Sequence, residues 1–356
     1  SAMQSLVSLL KCARKTSPFS EIAVVQMPSI AILAPILGRR ELRTAITSPL
    51  KLSTTPIFFT SPLNIFAPFS RFLRAFFLQN FDIILAKFFH KGADLEVQKL
   101  RFIDTHCHLD GADFVGDFGD ILDSCANLGV EKMLIPGADL ADLPKAIELA
   151  EQYAQIYFAV GIHPNEIESL DSHALQALRK SANNPKCLAV GEIGLDYHYK
   201  NDEPTKKTQE SGFRAQIELA IALNLPIIIH TRESNADIIR ILKDYESTLK
   251  CVVFHCFGGD MNLVDSLKCP CYYGIGGVIS FKNARILQES VKKLPRDCIV
   301  LETDAPYLAP TPYRGQRNAP TFIPLIAEHL ANHLDLSVAK IAEISTANAK
   351  CAFGFA

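Results

Sequence analysis

Short apolar runs recur between residues 101 and 356, and several of them end in a single histidine, glutamate or aspartate. FIDTHCHLD carries His106 and His108, CLAVGEIGLDY carries Glu192, and PIIIHTRES carries His230. VVFHCFGG and IVLETDAPYL add His255 and Asp304. Strands that deliver polar residues at their C-terminal ends are how a β/α barrel assembles an active site. Candidate strands begin at Phe102, Met133, Tyr157, Cys187, Ile227, Val252, Tyr272 and Cys298, each followed by a polar or glycine-bearing turn. Helical spacing fills the gaps. In Gly212–Leu225, for example, Phe213, Ile217, Ala220, Ile221 and Leu223 recur on one face until Pro226 stops the pattern. The expected fold is α/β, a (β/α)8 TIM barrel over residues 101–356.

The first hundred residues differ in kind. They hold 12 Lys+Arg against 5 Asp+Glu, which leaves 24 against 33 for residues 101–356. They are Phe-rich and Pro-punctuated and lack strand–helix alternation, so residues 1–100 are expected to be an irregular or disordered N-terminal extension. Their best apolar stretch, Ile22–Leu37, contains Pro28 and Pro35 and falls short of the ~20 residues a membrane span needs. Arg71, Arg74, Asp82 and Lys87 interrupt a second stretch, so no stable span is expected. Two readings of the segment stand. It is an upstream extension without a part in the chemistry, including a start assigned too early, or it is a surface-binding or targeting segment built on Arg71, Arg74, Phe72, Phe76 and Phe77.

The ten cysteines form neither a disulfide framework nor a zinc module. Cys269-Pro-Cys271 has no partner pair at zinc-finger spacing. Reduced, structural thiols in a cytoplasmic protein are the expectation.

Four imidazoles and two carboxylates make a mixed nitrogen and oxygen donor set suited to one or two divalent cations. His106 and His108 are two apart at one strand end, so both rings face one side. Asp104 is expected either to orient a ligand histidine or to make a structural hydrogen bond. Glu192, flanked by glycines, is placed to bridge two cations through its two oxygens. Asp304 is expected both to ligate and to accept a proton from an attacking water. Such a set is hydrolytic, and no constellation for covalent catalysis is visible; the Cys107 side chain should point away from its neighbours. His163 in AVGIHPNE is expected to contact substrate phosphate or to cap its loop. Arg232 is a natural phosphate clamp, and Arg314 and Arg317 form a basic loop after Asp304 that is expected to contact an anion, with Arg317 expected to bind substrate.

Together FIDTHCHLD, GIHP, GEIGLDY, IIIHTRES, FHCFGG, ETDAPYLAP and RGQRN resemble the TatD family of metal-dependent deoxyribonucleases over nearly all of residues 101–356. The resemblance implies a TIM barrel, two divalent cations (magnesium, manganese or zinc) and hydrolysis of DNA phosphodiesters. It carries ligand roles onto His106, His108, Glu192, His230, His255 and Asp304. Two departures stand out. A second histidine usual in the family is absent from His163-Pro164-Asn165, and a common glutamate is absent from Asn318-Ala319-Pro320, which is expected to loosen that loop. A TatD-like D-aminoacyl-tRNA deacylase is the nearest alternative, with RNA or tRNA as partner, and a non-catalytic scaffold is a third. Oligomeric state is left open by the sequence.

Overall fold

The computed structural model describes residues 100–199 and 201–355. The expectations for residues 1–99 lie outside the described residues. Eight strands form one sheet in chain order: β1 (Phe102–Asp104), β2 (Val130–Ile135), β3 (Ile156–Val160), β4 (Cys187–Asp196), β5 (Ile227–Arg232), β6 (Val252–Phe254), β7 (Cys271–Ile275) and β8 (Ile299–Leu301). Every neighbouring pair is parallel. The sheet curls so that β1 meets β8. That seam is carried by Thr105 N–H to Leu301 O at 3.0 Å, His108 N–H to Ala305 O at 2.8 Å, and a single bridge between Cys107 and Ala305.

Seven helices fill the crossovers: α1 (Phe118–Leu128), α2 (Leu143–Gln152), α3 (Ser172–Ser181), α4 (Glu203–Leu223), α5 (Asn235–Lys243), α6 (Met261–Asp265) and α7 (Arg285–Lys293). Helices α8 (Ile323–Leu334) and α9 (Val338–Phe353) follow the last strand. The architecture is the expected (β/α)8 barrel.

Alternation along the strands separates two apolar layers. In β5, Ile227 and Ile229 pack in the layer between sheet and helices, whereas Ile228 joins the barrel interior with Ile103, Leu134, Ala189, Val253 and Val300. Residues buried on both faces explain why the strands read as continuous apolar runs rather than as alternating ones. From α9 and the residues after it, Ala349, Ala352, Phe353 and Phe355 belong to the interior cluster and close its lower end. That leaves the opposite, C-terminal end for polar residues.

Element boundaries moved where local polar chemistry overrode hydrophobic spacing. Strand β2 begins at Val130, three residues before Met133, directly after Gly129 in the left-handed region at φ 82°. Strand β8 begins at Ile299 because Arg296–Cys298 form a 3-10 turn. Helix α4 starts at Glu203, nine residues before the expected Gly212. The Asp202 carboxylate accepts the Thr205 N–H at 3.0 Å and Pro204 lies in the first turn, both of which favour a helix start. It ends at Leu223, where Asn224 adopts the left-handed cap at φ 53°.

Candidate metal centre

Two buried glutamines of α4 hold the strand ends beneath the site. Gln216 accepts the Ile162 N–H at 2.8 Å and donates to Ile162 O at 3.1 Å. Gln209 makes the same pair of bonds to the backbone of Asp196, both at 3.0 Å. Gln209 lies in the turns that hydrophobic spacing left out of the helix, so the missed stretch is one that positions the site. Across the seam, the carboxylate of Asp104 accepts from His106 N at 3.2 Å, Thr303 N at 3.0 Å and Thr303 Oγ1 at 2.6 Å. Of the two roles expected for Asp104, the geometry shows the structural one, joining the chain after β1 to the chain after β8. Burial pushes its pKa up to about 7, against the pull of the Thr303 bonds.

The glycines on either side of Glu192 lie where β4 pairs with β5. A Cβ on Gly191 would lie 2.5 Å from Ile228 Cβ, and one on Gly194 would lie 2.0 Å from His230 O. Both glycines admit the neighbouring strand β5.

All six expected donors converge at the C-terminal end. Glu192 is central, and its two oxygens face different groups. Its Oε2 lies 3.3 Å from His106 Nε2. Its Oε1 lies 2.7 Å from His230 Nδ1 and 3.7 Å from His255 Nε2. Asp304 Oδ1 lies 3.6 Å from His108 Nε2, 3.8 Å from His106 Nε2 and 3.9 Å from His255 Nε2. The His106 and His255 rings stack with centroids 3.6 Å apart. Among the described residues, three groups have donor atoms within 4.8 Å of one another: His106 with His108 and Glu192, His106 with His255 and Asp304, and His163 with Glu192 and His230. Asp304 holds φ 57°, a left-handed conformation that is costly for a residue with a side chain and that clusters at functional positions.

Two carboxylates not singled out in the sequence stand behind the histidines. Asp196 Oδ2 lies 3.0 Å from His230 Nε2, on the far side of the ring from Glu192. Glu302 Oε1 lies 3.2 Å from His255 Nδ1, off the axis of a hydrogen bond, and accepts the Cys256 N–H at 2.6 Å. Carboxylates in this position fix the tautomer and orientation of ligating imidazoles. Spacing held the signal: Glu302 lies two residues before Asp304, and Asp196 four after Glu192 in β4.

His163 also reaches the cluster, its Nε2 3.7 Å from Glu192 Oε1 and its ring edge-on to His230. Its Nδ1 accepts the Asn165 N–H at 3.1 Å and so caps the turn Pro164–Ser169. Burial lowers its pKa to about 4, which keeps the ring neutral. With Nδ1 accepting, the ring proton sits on Nε2, suiting His163 to donate a hydrogen bond rather than to ligate. Arg232, at the end of β5, lies over the Tyr199 ring and donates to its hydroxyl at 3.3 Å. Arg317 instead pairs with Asp117 and lies over Phe114, and Arg314 lies over Phe281. Asn318 is fully buried and donates to Thr303 O and Tyr307 O, at 2.7 and 2.6 Å. Its loop is therefore tied down rather than loosened. The Cys107 thiol turns away toward Leu134 O, and burial holds its pKa well above the usual thiol range.

Electrostatics distinguish the histidines. Burial and the neighbouring His255 lower the pKa of His106. Burial also opposes protonation of His255, but Glu302, Glu192 and Asp304 outweigh it and lift its pKa to about 10. Burial would raise the pKa of Glu192, yet His255 and His106 hold it well below the carboxylate range. Asp304 is lowered in the same way, burial being overcome by His255 and His108.

Both ring nitrogens of His106 are buried without a hydrogen-bond partner. Unpartnered polar atoms this deep are costly unless something else satisfies them. A divalent cation at Nε2, on the side of Glu192 and Asp304, would satisfy one of the two nitrogens, and the mixed nitrogen and oxygen donor set fits such an ion.

The chain matches the family model for TatD related DNase over residues 103–354. It is 36% identical over 251 residues to an uncharacterized metal-dependent hydrolase, YabD, of Bacillus subtilis, covering 70% of this chain and 98% of that one. It is 33% identical over 250 residues to YcfH of Escherichia coli K12, also an uncharacterized metal-dependent hydrolase, covering 69% and 93%. In structure it resembles YJJV, a TatD homologue of Escherichia coli, with TM-score 0.66 at 31% identity, covering 72% of this chain and 98% of that one.

Proposed function

The chain belongs to the TatD related DNase family of metal-dependent hydrolases, and we propose that it hydrolyses phosphodiester bonds of DNA with two divalent cations. The observation that carries this reading is the division of Glu192, one oxygen toward His106 and the other toward His230 and His255. His106, His108 and Asp304 would hold one cation and His230 and His255 the other, with Glu192 shared between them. Paired cations suit phosphodiester cleavage, where charge develops on both attacking and leaving oxygens. The family description names a DNase, which supports DNA as the substrate.

When bound, the cations supply Lewis acidity toward the phosphate oxygens and lower the pKa of water in the site. Asp304, held ionised, accepts a proton at its carboxylate from the attacking water. His163 donates its Nε2 proton to a phosphate oxygen, and Arg232 places its guanidinium beside the strand backbone. Asp196 and Glu302 hold the rings of His230 and His255 in place from behind.

The test is a digest of end-labelled single-stranded DNA, RNA and a D-aminoacyl-tRNA, side by side, after loading with magnesium, manganese or zinc. Cleavage of DNA is expected. Release of the amino acid alone, with DNA intact, would overturn the nuclease reading in favour of ester hydrolysis. A cytoplasmic location is consistent with nine free cysteines among the described residues. None of the described helices is long and apolar enough to cross a membrane.

A further inference from the structure

Among the described residues, the large apolar and aromatic side chains left exposed are Val115, Tyr199, Ile286, Tyr307 and Leu308. All five lie in loops that follow barrel strands or in the first turn of the helix after one, so all five belong to the end that carries the metal centre. They are therefore placed around the mouth of the site.

The two tyrosines are set apart from the rest. Tyr199 is 69% exposed three residues after β4, and Tyr307 is 61% exposed six residues after β8. In a ring of eight strands, β4 and β8 are opposite one another. The cluster of histidines and carboxylates therefore lies between them.

Each tyrosine has a fixed base under an exposed ring. At Tyr307 the backbone N–H donates to Asp304 O at 2.8 Å, and the carbonyl accepts from the buried Asn318 amide. Its ring is edge-on to His108, centroids 6.1 Å apart. The Tyr199 ring lies under the Arg232 guanidinium at 5.1 Å and edge-on to His198 at 4.9 Å. Beside it is a recess of about 220 Å³ whose lining includes Pro164, Asn165, Ile167, Glu168, Thr205 and Tyr199. Drug-sized ligands occupy ~300–1,000 Å³, so this recess suits one planar ring system. Pro164 joins it directly to His163.

Away from the cations, side-chain charge favours an aromatic contribution. Residues 101–356 carry 24 basic against 33 acidic side chains, a net −9. Such a domain gains little from general attraction to a polyanion, which is the usual source of nucleic-acid affinity. Base stacking on aromatic rings is indifferent to that charge and tolerant of sequence, but it needs bases that are not already stacked in a duplex.

We propose that Tyr199 and Tyr307 are stacking platforms for unpaired nucleobases on opposite sides of the metal centre, and that they select single-stranded nucleic acid. This rests on the nucleic-acid reading above. A strand lying across the mouth places one base in the Tyr199 recess and another on Tyr307, with the intervening phosphate over the cluster.

The experiment measures binding without turnover. Every protein carries Asp304→Asn and is saturated with divalent cation. Fluorescence anisotropy then compares a labelled single strand, an abasic strand of equal length and a duplex. The single strand should bind at least tenfold more tightly than the abasic strand or the duplex. Tyr199→Ala and Tyr307→Ala should each weaken single-strand binding by about tenfold to a hundredfold, and weaken abasic binding by clearly less. Tyr199→Phe and Tyr307→Phe keep the ring and should keep the affinity, and thermal melts establish that all variants fold. Equal binding of normal and abasic strands, duplex binding as tight as single-strand binding, absence of binding, or alanine variants that keep the preference would each overturn the proposal. Hydrolysis by the chain with Asp304 intact is scored separately. Base preference without cleavage would sink the nuclease reading alone, and cleavage without base preference would sink the platforms alone.

Discussion

Glu302 stands behind His255: its Oε1 is 3.2 Å from His255 Nδ1, while His255 Nε2 faces Glu192 and Asp304 on the other side of the ring. The ring is thus held between an outer carboxylate and the donor cluster. Neutralising the outer carboxylate in Glu302→Gln should weaken metal binding by about 10- to 100-fold without displacing any inner donor. Titration against a competing chelator measures this, and unchanged affinity would remove Glu302 from the site.

Gly274 makes room for that carboxylate. A Cβ there would lie 2.1 Å from Glu302 Oε2. Gly274→Ala should therefore cost about 1–3 kcal/mol in stability through overpacking and should lower metal affinity by displacing Glu302. Combined with Glu302→Gln, the two losses in affinity should fall short of additive, because they act through one group. Full additivity in the double-mutant cycle would show that the glycine acts elsewhere.

Asp304→Asn and Glu192→Gln should fail in different ways. Asparagine keeps an oxygen donor of similar size but cannot accept the proton, so turnover on DNA should fall by roughly 10²–10⁴-fold with the fold intact. Glutamine at 192 removes the charge shared between the two groups of histidines. Elemental analysis should then find fewer cations per chain. Near wild-type turnover in Asp304→Asn would rule out its role as base.

Stripping the cations should destabilise the barrel. A ligand at 100 times its Kd contributes about 2.7 kcal/mol to a folded state that alone binds it, so melting after chelation should come at a lower temperature. The pH dependence of binding has a definite sign. His255 in the metal-free protein has a pKa of about 10 and so carries a proton at neutral pH that a cation must displace. Metal uptake should release protons, and affinity should rise with pH across the neutral range. Calorimetry in buffers of different ionisation enthalpy would expose the opposite sign.

A chain beginning at Lys99 should fold and, with metal added, hydrolyse DNA at a rate close to that of the full chain. All eight strands and all six inner donors lie beyond Arg101. Loss of the barrel on truncation would make residues 1–98 part of the folding unit.

The barrel, and the polar residues that gather at its C-terminal end, were readable from sequence because both are written locally. Buried parallel strands must be apolar runs, and a polar residue ending such a run has one place to go. His230 after Ile227–Ile229, and Asp304 after Ile299–Leu301, were legible for that reason. Folding added what depends on pairs distant in sequence. Asp104 faces Thr303, 199 residues away, and Gln216 holds Ile162 across 54. Asp196 reaches His230 only when β4 pairs with β5, and Glu302 reaches His255 only when β6, β7 and β8 line up side by side. Arg317 pairs with Asp117 in the folded chain, although its sequence reads only as a basic loop. The early start of α4 was local, yet hydrophobic spacing could not see it, because a cap works through one hydrogen bond and buries no apolar face. Periodicity records which face of an element is buried, whereas contacts between elements are set by closure of the ring.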